Sequence, residues 1–315
     1  MKRFQMYRSY IFIVLGAGLW GTIGVFVKYL QTAGFSSMEI TAIRVIIAFL
    51  FLLFIGMIKY RPALKIRLKH FPLFIGTGVF SITFFNWSYF TAIKEMSISV
   101  SVILLYTAPA FVALLSWAFL GEKMNGRKIT SIIATIIGCV LITGLTDIQA
   151  ASITKFGLFI GLCSGFGYAL YTIFGRISVR FYSSFTITFY TFLAATLFLL
   201  PASKLWEKGN DLFNGEVLLY SLALGFIPTV LAYILYTEGL KNVEGSVASI
   251  FATIEPVVAL LIGLLLFDES FLPIQWLGTA FILFAVVNVN RSNRSSKQKW
   301  GWKANKGEIG NEGKW

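Results

Sequence analysis

The sequence predicts an all-α, polytopic membrane protein of ten transmembrane helices, built as two five-helix repeats that enter the membrane in opposite orientations. Three observations predict it. Apolar runs of about 20 residues, long enough to span a bilayer's hydrocarbon core, alternate with short polar breaks along most of the 315-residue chain. One constant offset, the 147 residues between Pro109 and Pro256, superimposes the two halves almost without gaps. Basic residues gather in alternate breaks.

The first span, about 10–30, follows Lys2, Arg3 and Arg8. It is longer than a signal-peptide core and lacks a small-x-small cleavage site, so it reads as a retained helix. The next spans fall at about 37–58, 71–93, 97–120 and 127–146, and the fourth carries Pro109 near its middle. The second set falls at about 155–176, 181–201, 215–239, 245–267 and 272–290. Gly157, Gly161 and Gly165 give the sixth span a small-residue ridge suited to close helix packing, and Pro256 lies near the middle of the ninth. The organisation is therefore a first five-helix unit over 8–146, a second over 155–290 and a polar cytoplasmic tail over 291–315 that reads as solvated and disordered.

The offset pairs polar and special residues as well as apolar ones. Ser36 and Ser37 meet Ser183 and Ser184, Gly18 meets Gly165, Tyr89 meets Tyr236, Lys94 meets Lys241, and Glu122 meets Glu269. Each unit has an odd number of spans, so the second must run upside down. Charge agrees. Lys59 to Lys69 carry five basic residues, whereas the matching stretch from Pro201 to Glu216 holds two basic and three acidic residues. Lys2, Arg3, Arg8, the 59–69 loop, Lys123, Arg127, Lys128, Arg176, Arg180, Lys241 and the tail's basic residues share one side. Lys28, Lys94, Lys155, Lys204 and Lys208 share the other. The positive-inside rule then puts both termini in the cytoplasm of a cell-membrane protein.

Composition narrows the function. The chain is 57% hydrophobic and 13% charged, against about 45–50% and about 25% in soluble domains. A net charge of +13 follows from cytoplasmic loops and calls for no nucleic-acid partner. Cys139 and Cys163 lie inside apolar spans, and His70 is the single histidine, so neither a disulfide framework nor a His- or Cys-ligated metal is expected. No cofactor motif is found, and no G-x-x-x-x-G-K-[ST] that would bind ATP.

Glu255 is the sharpest candidate. It precedes Pro256 near mid-span, where a carboxylate costs about 2.5–3.5 kcal/mol on insertion scales, and its repeat partner is the apolar Ala108. Substrate contact, proton exchange or a structural carboxylate would each explain it. Pro109 and Pro256 are expected to kink their helices and free a carbonyl, shaping a cavity and hinging the repeats. Trp20, Asn86, Tyr106, Tyr168 and Tyr233 complete the expected substrate-binding set, with Tyr89, Tyr171 and Tyr236 beside them. Arg44, about two turns inside the second span, can snorkel, pair with Glu39 or face the bundle, with anchoring of the fold favoured over substrate contact. Glu238 is expected at the membrane interface.

Pro109-Ala110-Phe111-Val112-Ala113-Leu114-Leu115 with Leu120-Gly121-Glu122 resembles the fourth helix of the EamA family of drug/metabolite transporters. So does its twin Glu255-Pro256-Val257-Val258-Ala259-Leu260-Leu261 with Asp268-Glu269, although Asp268 replaces the usual Gly. The resemblance covers about residues 8–290. It implies a non-enzymatic secondary transporter working by alternating access. Its cavity would be lined by helices 1, 3, 4, 6, 8 and 9. Its partners would be a small-molecule metabolite exported or imported, the lipid bilayer and protons; the family does not name the substrate, and the aromatic, weakly polar residues expected at the cavity suit export of amino acids or related compounds. A multidrug or organic-cation exporter is the alternative within transport. An integral-membrane enzyme or receptor is the alternative outside it, but the sequence lacks clustered catalytic groups.

Overall fold

The computed structural model describes residues 2–143, 153–268, 270 and 272–304. Among these, ten helices are long and apolar enough to cross a membrane. They are α1 (Phe4–Thr32), α2 (Ser37–Ile58), α3 (Leu68–Glu95), α4 (Ile98–Leu120), α5 (Gly126–Thr143), α6 (Lys155–Ser178), α7 (Ser184–Ser203), α8 (Gly215–Leu240), α9 (Gly245–Phe267) and α10 (Pro273–Asn290). Each expected span is present, with ends shifted by a few residues. Glu269, the repeat partner of Glu122, lies outside the described residues, as do 144–146 and 305–315 with Trp315.

The tail departs from expectation. The last helix runs on to Ala304, so its polar residues continue α10 rather than losing regular structure. Extending a helix already nucleated in the membrane avoids the unfavourable first turn.

The repeat is visible in how the helices start and stop. Ser36 opens α2 with a capping box: its Oγ accepts from Glu39 N, and Glu39 Oε2 accepts from Ser36 N at 2.7 Å. Its partner Ser183 caps α7 by accepting from Thr186 N. At the other ends, Gly121 closes α4 with φ +68°, and its partner Asp268 closes α9 with φ +52°. Aspartate is among the few residues that tolerate this left-handed cap, so its substitution for glycine preserves the turn.

Packing between the halves follows the same pairing. α1 lies on α8 and α6 lies on α3, while α2 packs on α7, α4 on α9 and α5 on α10. Exchanging the halves maps this set of contacts onto itself.

Five spans depart from regular α-helix in mid-course. α1 breaks at Thr22, α4 at Tyr106–Thr107 and α9 at Thr253. α3 and α8 instead widen to π-helical turns over Gly76–Thr83 and Phe226–Leu231. In every case a threonine hydroxyl adds a hydrogen bond to a carbonyl at the interruption. Thr22, Thr107 and Thr253 donate to Leu19 O, Leu104 O and Ile250 O at 2.6–2.7 Å. Thr83 and Thr229 reach five residues back across the widened turns, to Gly78 O at 3.1 Å and Leu224 O at 2.8 Å.

The prolines therefore act differently from expectation. Pro109 and Pro256 do not bend continuous helices. Each sits in the first turn of a new segment, Ala108–Leu120 or Ile254–Phe267, where a missing N–H leaves no bond unmade.

The break in α1 needs close contact with α9. A Cβ on Gly21 would lie 2.8 Å from both the Glu255 carbonyl oxygen and Val258 Cβ, whereas one on Gly24 would meet nothing within 4 Å. Gly21→Ala is therefore expected to destabilise the purified protein by roughly 1–3 kcal/mol, the usual cost of overpacking. Gly24→Ala should leave the denaturation midpoint unchanged or slightly raised. Equal midpoints for the two variants would contradict the crossing described here.

Candidate functional site

The helix breaks meet around a cavity of about 280 Å³. Its lower wall is Trp20, Gly21, Tyr106 and Glu255, the residues at the interruptions of α1, α4 and α9. From there it runs toward the end of the bundle that carries the α1–α2 and α3–α4 connections. Ile23 and Val27 of α1, Ser37, Ile40, Thr41 and Arg44 of α2, and Phe85, Asn86, Tyr89 and Phe90 of α3 line the way. Irregular backbone at membrane depth is tolerated where it borders a wet cavity or is buried in protein, and this cavity satisfies that condition.

Of the expected binding residues, Glu255, Asn86, Tyr106 and Trp20 line the cavity. Tyr168 and Tyr233 stand behind them. Tyr168 donates its hydroxyl to Glu255 Oε2 at 3.0 Å, fixing the carboxylate from α6. Its ring stands edge-on to Trp20 and to Phe85. Tyr233 packs edge-on against Trp20 with ring centres 5.1 Å apart. Tyr236 is 2% exposed and bonds to Thr172, and Tyr171 bonds to Thr237. The tyrosines of α6 and α8 thus form a second layer that holds Trp20 in place. Asn86 sits just past the widened turn of α3 and donates to Ile82 O at 2.7 Å.

The set of lining helices differs from expectation. α1, α3, α4 and α9 contribute as expected, α6 and α8 stand one layer back, and α2 joins the wall. Ser37, Ile40, Thr41 and Arg44 follow one another at spacings of three, one and three residues and share a face of α2. Arg44 is therefore at the cavity, with 7% of its surface exposed. Two donors here have no acceptor among the described residues: Arg44 Nε and Trp20 Nε1. A cation placed at this depth in an apolar span was the available sequence signal, since burial there is costly.

The opposite end of the bundle is closed. There the second half of α4 packs against the first half of α9. Glu122 lies at the seam. It accepts from Gly245 N at 2.6 Å, from Ser246 N at 3.1 Å and from Ser246 Oγ at 2.5 Å. Lys128, 2% exposed, lies 3.8 Å from Glu122 and 2.7 Å from Glu244. Arg176 donates to Leu240 O, and Asn242 donates to Ser9 Oγ. Glu238, expected at an interface, takes part by accepting from Ser184 and pairing with Lys241.

Comparison with known proteins agrees with this architecture. An uncharacterized transporter of Archaeoglobus fulgidus is 30% identical over 276 residues, covering 87% of this chain and 93% of that protein. The uncharacterized inner membrane transporter YicL of Salmonella typhimurium is 27% identical, covering 90% of this chain and 95% of its own length. A crystal structure with 16% identity shares the fold, with a TM-score of 0.75 over 91% of this chain and 98% of that one. Two stretches, residues 8–144 and 155–291, each match the EamA-like transporter family. A multi-pass helical protein with a mid-depth cavity and these relatives is a membrane transporter, and the chain belongs to the EamA-like transporter family.

Proposed function

We propose that the protein is a secondary transporter of the cell membrane that exports small amine-bearing metabolites, amino acids or related compounds, by alternating access. The observation that carries this reading is the cavity itself. It joins the broken turns of α1, α4 and α9, exposes Glu255 to a ligand, and ends at a packed seam on the far side. A path accessible from one end and sealed at the other is what an alternating-access protein presents between its two openings.

In this reading the units over 8–146 and 155–290 are inverted repeats, and both termini are cytoplasmic because the basic loops lie on that side. The cavity then faces outward and the Glu122 seam inward. Protons entering from outside reach Glu255 first, which suits exchange of an inward proton for an outward substrate. The aromatic surroundings of the carboxylate, Trp20, Phe85, Tyr89 and Tyr106, also suit an organic cation through cation–π attraction. That observation favours organic-cation export as the second reading.

Reporter fusions test the orientation. Fusions at Lys69 and Asn290 should report the cytoplasm, and those at Lys208 and Asp268 the outside. A reporter active only outside the cytoplasm that works at Lys69 would exclude inversion.

Glu255→Gln tests the coupling in liposomes of purified protein. The variant keeps the side chain's shape and loses its titratable proton, so transport driven by a pH gradient should fall to the rate seen without one. Exchange at equal pH on both sides should persist in part. Gradient-driven transport at the wild-type rate would exclude a coupling role for Glu255.

A further inference from the structure

Arg44 has no task in the proposal above. It lies inside a 22-residue apolar span, where a cation costs about 2.5–3.5 kcal/mol on insertion scales. A buried charge at that cost is normally paired. Arg44 is not: the described ion pairs join Lys128 to Glu122 and Glu244, Lys208 to Glu39, and Lys241 to Glu238. None joins Arg44 to Glu255, although both line one cavity. Arg44 Nε has no acceptor among the described residues, and neither has Trp20 Nε1 in the same wall.

The cavity thus offers two unlike poles. On α2 is a guanidinium, which can only donate. On α9 is a carboxylate steadied by Tyr168. Between and around them the wall is apolar and aromatic, including Ile23, Val27, Phe85 and Phe90. The volume, about 280 Å³, falls at the small end of ligand pockets.

We infer that the cavity binds a zwitterion, with its carboxylate on Arg44, its ammonium on Glu255, and an apolar side chain against the remaining wall. The inference rests on the proposal that this cavity is the transport site. It assigns Arg44 as a specificity-determining residue, and it favours α-amino acids over organic cations. It also gives the two poles a mechanical meaning. Arg44 belongs to the first half of the chain and Glu255 to the second, so one bound ligand bridges both halves. A molecule carrying only one charge cannot bridge them. Guanidinium binds carboxylate through two parallel hydrogen bonds, which makes this pole selective for geometry as well as for sign.

The test is calorimetry on the full chain in lipid nanodiscs. The probes are the standard α-amino acids, together with the half-analogues of leucine, isoamylamine and 4-methylpentanoate, and the corresponding pair for phenylalanine. At least one apolar amino acid should bind about tenfold or more tighter than either of its half-analogues, the contribution expected of a charged hydrogen bond. Arg44→Gln should narrow the gap between amino acid and amine, with Arg44→Lys restoring part of it. Glu255→Gln should narrow the gap between amino acid and acid. An amine that binds as tightly as its amino acid, or no binding by any amino acid, would overturn the inference. So would an Arg44→Gln protein that weakens amine and amino acid equally, since Arg44 would then only offset the charge of Glu255. The wild-type series does not depend on a variant folding. Counterflow of the same compounds in liposomes separates the two proposals. Transport of the amines without the amino acids overturns the zwitterion and leaves transport standing. Binding of amino acids without passage of any of them overturns transport and leaves the zwitterion site standing.

Discussion

The structure depends on one constraint: within a bilayer, a backbone carbonyl released from a helix has no water to turn to. Five spans interrupt the regular helix at mid-course, and in each a threonine hydroxyl bonds a carbonyl three or five residues back. At the breaks of α1, α4 and α9 the same threonine's N–H bonds that carbonyl too, so the chain starts a second segment with the turn held by its own backbone and side chain. Where the three interruptions meet, they leave a space that no continuous helices would leave. The cavity follows from the broken turns, and the placement of Trp20, Tyr106 and Glu255 follows with it.

At the closed end, acids and bases are used up in holding helices together. Glu122 caps the start of α9, Lys128 is pinned between two carboxylates, and Glu238 is shared by Ser184 and Lys241. At the cavity, Arg44 and Glu255 are left unpaired with each other. A buried pair that lost one partner would be destabilising, so two unlike charges held apart across a cavity are best explained by a ligand that comes between them. Tyr168 and the tyrosines behind Trp20 hold the lining in place. Their contribution is rigidity in the supporting layer, which fixes ligand geometry in binding sites generally.

Much of this was legible in the sequence, and the remainder was not for identifiable reasons. The spans could be read because apolar length is a strong signal, whereas caps such as Ser36 with Glu39 mark only some of the ends. The 147-residue offset anticipated the matched caps at Ser36 and Ser183, and at Gly121 and Asp268, because cap geometry depends on one residue. The breaks were misplaced. Proline drew the reading to Pro109 and Pro256, whereas the interruption lies just before each, since proline is most comfortable in a helix's first turn. The widened turns of α3 and α8 were missed because they need only a threonine five residues beyond a carbonyl, a pattern that apolar sequences contain often. Tyr168, Tyr233 and Tyr236 were identified as important residues but assigned to the wrong layer, since which face of a helix meets a cavity depends on its neighbours. The placement of Arg44 stayed open between snorkelling, pairing with Glu39 and facing the bundle, because a long side chain near a span's end can reach the interface. Its burial and unpartnered Nε became visible only when α2 was seen to form part of the wall.

In the proposed alternating access, the cavity end closes as the Glu122 seam opens. Distances between spin labels test it directly. One pair, at Ile98 and Leu266, spans the cavity end, and the other, at Phe119 and Asn242, spans the seam; Cys139 and Cys163 are replaced by serine in both proteins. In liposomes with a transported amino acid and a proton gradient across the membrane, the distance between 98 and 266 should shorten as that between 119 and 242 lengthens. Both distances unchanged under turnover, or both moving in the same direction, would contradict the account.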